Sequence, residues 1–234
     1  MRLLQKINLL LAVIAVSMAV IITGIATMPE KAPRQIDVAR EVVAPHVEAF
    51  QILSMENKRF ATGFHVQFLN KVYLLTNRHV CDANIERVNP NYAQFGLKLH
   101  KILFIDKVHD LCLLDSDRSS GLVLAAEDVP NLAPVFLVGH PRGEPLTIRE
   151  GRKMDEGSFP AEWLDGRTVT FGQISTITYG GNSGSPVTNH KGEVIGVLFA
   201  GDRRFITEGY YVPLRYVRSF LMSVLLNFPP METK

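Results

Sequence analysis

The chain has 234 residues, 47% of them hydrophobic and 21% charged, with a formal net charge of +2. A balance so close to neutral leaves no basic footprint for nucleic acid, and it is ordinary for a globular protein.

From the N-terminus, residues 1–6 carry Arg2 and Lys6, and residues 7–27, INLLLAVIAVSMAVIITGIAT, carry no charge over 21 positions. As a helix that run crosses a hydrocarbon core of about 30 Å, so it predicts a transmembrane anchor. Positive residues favour the cytoplasmic side, which puts the rest of the chain across the membrane, periplasmic or extracellular, unless Lys31 and Arg34 compete. The alternative is a cleaved signal peptide with Gly24 and Ala26 before the cut, but the apolar run exceeds the usual 7 to 15 residues of such a peptide. Residues 28–45, with three prolines and scattered charges, read as a linker. Residues 46–228 form one expected domain, with 229–234 as a tail.

Within the domain, short apolar or alternating runs separated by turn residues predict an all-β architecture. The expected strands are 47–53, 62–68, 72–76, 98–105, 111–114, 135–138, 169–177, 194–199 and 209–212. Leu214, Val217, Phe220, Leu221, Val224 and Leu225 then recur at helical spacing and predict an amphipathic C-terminal helix. Arg203 and Arg204 read as part of a solvated loop.

Three blocks suggest chemistry. YLLTNRHVCDA (73–83) is an apolar strand whose exit delivers His79; HDLCLLDS (109–116) sets Asp110 before an apolar run; YGGNSGSPV (179–187) surrounds Ser183 with Gly180, Gly181 and Gly184. Each has a bland counterpart: a structural histidine, a solvated turn aspartate, a plain glycine turn. Acyl transfer, however, needs a hydroxyl nucleophile, an imidazole to take its proton and a carboxylate to fix the imidazole's tautomer, and the chain order His, Asp, Ser is one known solution. The three blocks together favour that chemistry.

With these blocks the sequence resembles the trypsin-like serine proteases, in the disulfide-poor bacterial branch that includes the HtrA (Deg) proteases. GFHV (63–66), VFLVGHPRG (135–143), GEVIGVLFAG (192–201) and YYVP (210–213) extend the resemblance over nearly the whole domain. It implies two six-stranded antiparallel β-barrels of the chymotrypsin fold with the site in the cleft between them. His79 and Asp110 then come from the first barrel and Ser183 from the second. Residue by residue, it makes Ser183 the nucleophile, His79 the general base and acid, Asp110 the orienting carboxylate, and the N–H groups of Gly181 and Ser183 the oxyanion hole. The glycines then serve to curl the loop so that two amides converge on the developing oxyanion.

Two positions depart from the family pattern. Ser185 stands where a glycine is usual. Asn182 precedes the nucleophile where the animal digestive enzymes carry an aspartate, so activation by a new N-terminal ammonium is not expected. Among rivals, His109 is expected on the outer side of an extended strand, His140 in a turn after a strand, and Asp106 lacks a following apolar run. No His, Cys and carboxylate cluster has metal-ligand spacing, so neither metal nor cofactor is called for.

The only cysteines, Cys81 and Cys112, each lie two residues after a proposed triad member. They are therefore expected to be neighbours, either bridged or as two buried thiols. For specificity, the resemblance places Ile177 near the floor of the pocket that takes the side chain before the cut, with Thr178, Ala200 and Gly201 along its sides. No carboxylate is expected there, which favours small to medium apolar side chains over Lys or Arg. The resulting expectation is a membrane-anchored serine endopeptidase acting on polypeptides. The alternatives are a catalytically silent protease fold that binds peptides or partners, and an accessory protein acting through its membrane segment.

Overall fold

Side-chain burial switches period along the chain, and that switch builds the fold. In the computed structural model the segment from Lys71 to Asn77 is buried at every position after the first, and Leu111 to Leu114 is buried throughout. Such strands have core on both faces, which is why they read as continuous apolar runs rather than alternations. Successive side chains still take turns: Leu74, Cys112 and Leu114 join a cluster within the first barrel, while Leu75, Leu111 and Leu113 join a larger one that takes in residues of both barrels.

The structure describes residues 34–53, 58–85, 92–95, 98–160, 168–201 and 207–227. The expected membrane span 7–27, Arg203 and Arg204, and the tail 229–234 lie outside them. Among the described residues no helix is long and apolar enough to cross a membrane.

Among the described residues, twelve strands close two six-stranded barrels. The first uses β1 (Val47–Leu53), β2 (Lys58–Phe68), β3 (Lys71–Asn77), β4 (Tyr92–Phe95), β5 (Lys98–Asp106) and β6 (Leu111–Leu114) in the order β1-β2-β3-β6-β5-β4. The second uses β7 (Pro134–Gly139), β8 (Thr147–Pro160), β9 (Thr168–Ser175), β10 (Pro186–Thr188), β11 (Val194–Gly201) and β12 (Glu208–Pro213) in the order β10-β11-β12-β9-β8-β7. Every ladder is antiparallel. The second barrel closes around Tyr211, fully buried because its ring fills the space left by Gly172 on β9 and Gly196 on β11; a Cβ at either would meet the ring at 2.2 Å.

Three strands were not expected from the sequence: β4, β8 and β10. The sequence of β8, TIREGRKMDEGSFP, is dense in charge, yet its charges find partners: Lys153 is 7% exposed and pairs with Asp128 at 3.1 Å, and Glu156 takes a two-pronged bond from Arg215. β10 is a three-residue continuation of the Ser183 turn. The last strand before that turn also stops at Ser175, two residues short of the expected end.

Two further differences concern the ends of the domain. Residues 35–46, all but the last expected within a linker, form short helical turns led by α1 (Gln35–Val38), and Ala39 and Val43 are buried in the cluster shared by both barrels. The closing helix α3 (Leu214–Asn227) packs Leu214, Val217, Phe220, Leu221 and Val224 inward as its spacing predicts.

One polar network centres on a half-buried carboxylate of the first barrel. Glu48 accepts from His65 Nε2 at 2.9 Å and from Arg118 at 3.0 Å, while the other nitrogen of His65 meets Ser116 Oγ at 2.8 Å. The His65 hydrogen bond, with Arg118 beside it, outweighs burial and holds the Glu48 carboxyl at about 2, far below the ordinary 4.5. A depressed carboxyl stabilises the fold above the ordinary value and loses that contribution as pH falls toward its own. Urea stability is therefore expected to decline between about pH 4.5 and pH 2. Glu48→Gln, which leaves the buried His65 facing an amide in place of a carboxylate, is expected to cost about 1–3 kcal/mol at pH 7 and to flatten that decline. An unaltered pH slope in the variant would contradict this account.

Candidate active site

β3 ends at Asn77, and the chain turns at once into α2 (Arg78–Ile85), so His79 lies in the first helical turn rather than at a bare strand exit. Asp110 sits immediately before β6 with φ +56°, a left-handed conformation that aspartate tolerates better than most residues. Four hydrogen bonds converge on it. His79 Nδ1 meets Asp110 Oδ2 at 2.7 Å and the His79 backbone N–H donates to Oδ1 at 3.0 Å; Asn77 Nδ2 and the Arg78 N–H both donate to the Asp110 carbonyl, at 3.1 and 3.0 Å. With the carboxylate as acceptor the proton of His79 rests on Nδ1, which leaves Nε2 free to take another. The Asp110 side chain is 12% exposed and that of His79 48%, so the imidazole opens to the cleft while its partner does not.

Cys81 and Cys112 are bridged, with Cα atoms 6.6 Å apart and both residues buried. The bridge ties α2, which carries His79, to β6, the strand that Asp110 immediately precedes. Closing a loop of 31 residues contributes about 3–4 kcal/mol by the chain-entropy estimate.

Ser183 belongs to the turn between β9 and β10. That turn is held from the first barrel: the Thr62 N–H donates to the Ser183 carbonyl at 2.8 Å, Thr62 Oγ1 donates to the Gly181 carbonyl at 2.8 Å, and Thr76 Oγ1 donates to the Thr62 carbonyl at 2.7 Å. Gly184, at φ +85°, allows this approach, because a Cβ there would lie 1.9 Å from the Thr62 carbonyl oxygen. Within the turn, Asn182 N–H donates to the Tyr179 carbonyl, Gly184 N–H to that of Leu198 and Ser185 N–H to that of Asn182. The amides of Gly181 and Ser183 make no such bond among the described residues. In a trans peptide N–H and C=O point opposite ways, so the bond from Ser185 to the Asn182 carbonyl turns the Ser183 N–H away from it. Ser183 Oγ itself donates to the Phe199 carbonyl at 3.4 Å, and among the described residues no hydrogen bond joins it to His79.

The Ser185 departure has a steric explanation. Its side chain is fully buried over Gly139, where a Cβ would lie 2.0 Å from Ser185 Oγ, so the missing side chain at 139 houses the extra hydroxymethyl. Of the rivals, Asp106 is occupied by His109 at 2.8 Å, and His109 stacks on Tyr216 at 4.3 Å between ring centres. His109 is therefore a half-buried turn residue, not the outward face of a strand, because residues 107–110 turn rather than extend. His140 follows β7 and bonds to the Glu144 carbonyl at 3.2 Å.

The expected specificity residues separate. Ile177 lines a groove of about 500 Å³ with Ser175, Thr176, Thr207, Glu208, Arg149 and Glu150. Thr178 instead packs between Gly201 and Gly209 and donates to the Glu208 carbonyl at 2.8 Å; a Cβ at Gly201 would lie 2.3 Å from its hydroxyl. Ala200 pairs with Tyr210 in the sheet and, like Gly201, does not line the groove. The expected absence of carboxylates fails as well. Glu150 and Glu208 stand on the walls with Arg149, because counting back from Ser183 does not reach β8 or the start of β12; the Glu208 carboxylate accepts from Gln173 at 2.8 Å.

Residues 61–197 match the family model described as trypsin-like peptidase domain. The pro-apoptotic serine protease NMA111 of Coccidioides immitis is 30% identical over 179 residues, which are 69% of this chain and 16% of that protein. The glutamyl endopeptidase of Staphylococcus aureus is 26% identical over 80% of this chain and 60% of its own. The chain thus spans about a sixth of the length of the first of these relatives. Among solved structures, the active form of the Rv3671c protease from M. tuberculosis superposes with a TM-score of 0.65 at 24% identity, covering 84% of this chain and 89% of that one. At that identity the likeness is one of fold.

Proposed function

The chain belongs to the trypsin-like peptidases, and from that premise we propose that it is a serine endopeptidase working through Ser183, His79 and Asp110. His79 Nε2 takes the Ser183 proton as Oγ attacks the peptide carbonyl, and Asp110 holds the Nδ1 proton and stabilises the imidazolium. The N–H groups of Gly181 and Ser183 receive the oxyanion. The imidazolium returns its proton to the leaving amine, and water repeats the sequence on the acyl-enzyme. The observation that carries this reading is the 2.7 Å pair of His79 and Asp110 together with a turn whose N–H groups at 181 and 183 make no backbone hydrogen bond among the described residues. The bond of Ser183 Oγ to the Phe199 carbonyl favours the silent, peptide-binding alternative. Catalytic hydrogen bonds without substrate are, however, often long or misaligned, and one rotation about χ1 releases this hydroxyl.

Small to medium apolar residues before the cut are the proposed preference. Thr178 fills the space between Gly201 and Gly209, and a methylene-rich side chain of modest size gains about 1.5–3 kcal/mol on burial. A peptide-library digest is expected to show cleavage after Ala, Val or Leu. Dominant cleavage after Glu or Asp would instead assign the groove's Arg149 to substrate, and cleavage after Lys or Arg its carboxylates.

The proposed setting is a membrane, with residues 7–27 as a single span and the protease domain on the extracytoplasmic face. The charge-free run behind Arg2 and Lys6 supports it. Protease shaving of intact spheroplasts is expected to release the domain. Protection until the membrane is permeabilised would reverse the orientation.

A further inference from the structure

Among the described residues the Gly181 N–H has no acceptor to aim it, so its direction depends on what holds the peptide to which it belongs. That peptide joins Gly180 to Gly181, and its other polar atom, the Gly180 carbonyl oxygen, accepts from the Arg142 backbone N–H at 2.6 Å. Because the bond is trans, fixing the carbonyl on one side fixes the Gly181 N–H on the other.

Arg142 lies in the turn Pro141–Gly143 that follows β7, with φ +55°, a conformation disfavoured for arginine. Its guanidinium stands 4.1 Å from the ring centre of Tyr179, in the nucleophile turn itself, and Arg149 faces the same ring at 5.5 Å. A cation over an aromatic face is attractive, so the side chain secures the backbone that its own φ penalises. The base of the turn is fixed independently: the His140 N–H donates to Thr62 Oγ1 at 3.0 Å and the Glu144 N–H to the Pro141 carbonyl at 2.8 Å. Nor is there slack at the junction, since a Cβ on Gly181 would lie 2.5 Å from the Arg142 nitrogen.

We infer that Arg142 is a positioning residue for the oxyanion site: clamped on Tyr179, it presents its N–H to the Gly180 carbonyl and keeps the Gly180–Gly181 peptide turned so that the Gly181 N–H serves the substrate. With the clamp gone, the peptide is free to rotate and offers the developing anion a carbonyl in place of a donor. This inference rests on the serine-peptidase reading.

The test compares Arg142→Gly, which keeps the N–H and suits the positive φ but removes the clamp, with Tyr179→Leu and Tyr179→Phe, in the full chain. Arg142→Gly and Tyr179→Leu are each expected to lower kcat on a peptide ester about tenfold at unchanged KM, and to weaken a peptide boronate, whose tetrahedral adduct uses the oxyanion site, by the same factor. Tyr179→Phe, which keeps the ring, is expected to retain full activity, and the double variant to be no slower than either single. Crystal structures of the two slow variants are expected to show the 180–181 peptide rotated. Retention of kcat within twofold by both would overturn the inference, as would loss of activity in Tyr179→Phe equal to that in Tyr179→Leu. If the unaltered protein neither turns over nor binds the boronate, the peptidase reading fails instead. The crystal structures then still decide, an unrotated peptide counting against the clamp.

Discussion

Ser183→Ala is expected to reduce turnover of an unfolded protein substrate by about 10⁵- to 10⁶-fold while leaving the fold intact. The size follows from what the hydroxyl does: it is the attacking atom, and without it only oxyanion stabilisation and substrate binding remain. The cost to stability is small, because the hydroxyl contributes one long bond to the Phe199 carbonyl while the backbone of residue 183 is held by the Thr62 N–H. Thermal unfolding within about a degree of the parent is the expected companion result. A variant that cleaves at the parent rate would remove Ser183 from the chemistry, and one that fails to fold would show that the turn depends on its hydroxyl.

Asp110→Asn is expected to cost about 10⁴-fold in kcat. Asparagine is nearly isosteric and tolerates the φ of +56° as aspartate does, so the bonds from Asn77 Nδ2 and the Arg78 N–H to the carbonyl of residue 110 survive. The side chain is what changes. One oxygen goes on accepting the His79 N–H, and the amide nitrogen then faces His79 Nδ1, where it can only donate. That selects the tautomer with its proton on Nε2, the atom that must receive the proton of Ser183. Binding of substrate, which does not involve Asp110, is expected to hold, so KM stays level as kcat falls. A loss of less than tenfold would mean that Asp110 only supports the first turn of α2.

Much of this arrangement was legible in the sequence because the residues concerned are bound to local signals. β1 and β6 have the bounds read from their apolar runs, and the closing helix buries Leu214, Val217, Phe220, Leu221 and Val224 as its spacing marked. His79 and Asp110 announced themselves through flanking apolar strands, and the glycines around Ser183 through a turn that needs positive φ at Gly181 and Gly184. What stayed hidden depends on partners distant in sequence. β8 reads as a charged loop until Asp128 and Arg215 are seen to neutralise Lys153 and Glu156. The helical turns of 35–46 look like linker because the core that buries Ala39 and Val43 is assembled from both barrels. Thr62, which holds the nucleophile turn through its N–H and hydroxyl, is one threonine among many in a strand; no local pattern marks it. The groove beside Ile177 was misjudged for the same reason, since Arg149 and Glu208 reach it from strands that the chain order does not place there.

Covalent labelling by a fluorophosphonate tests the central claim most directly, because phosphonylation requires an activated Ser183, a competent His79 and the oxyanion donors at once. The unaltered protein is expected to gain one phosphonyl group, located by peptide mass mapping on Ser183, and to lose the label in Ser183→Ala and nearly all of it in His79→Ala. A folded protein that takes up no label, or takes it up equally in Ser183→Ala, would contradict the account.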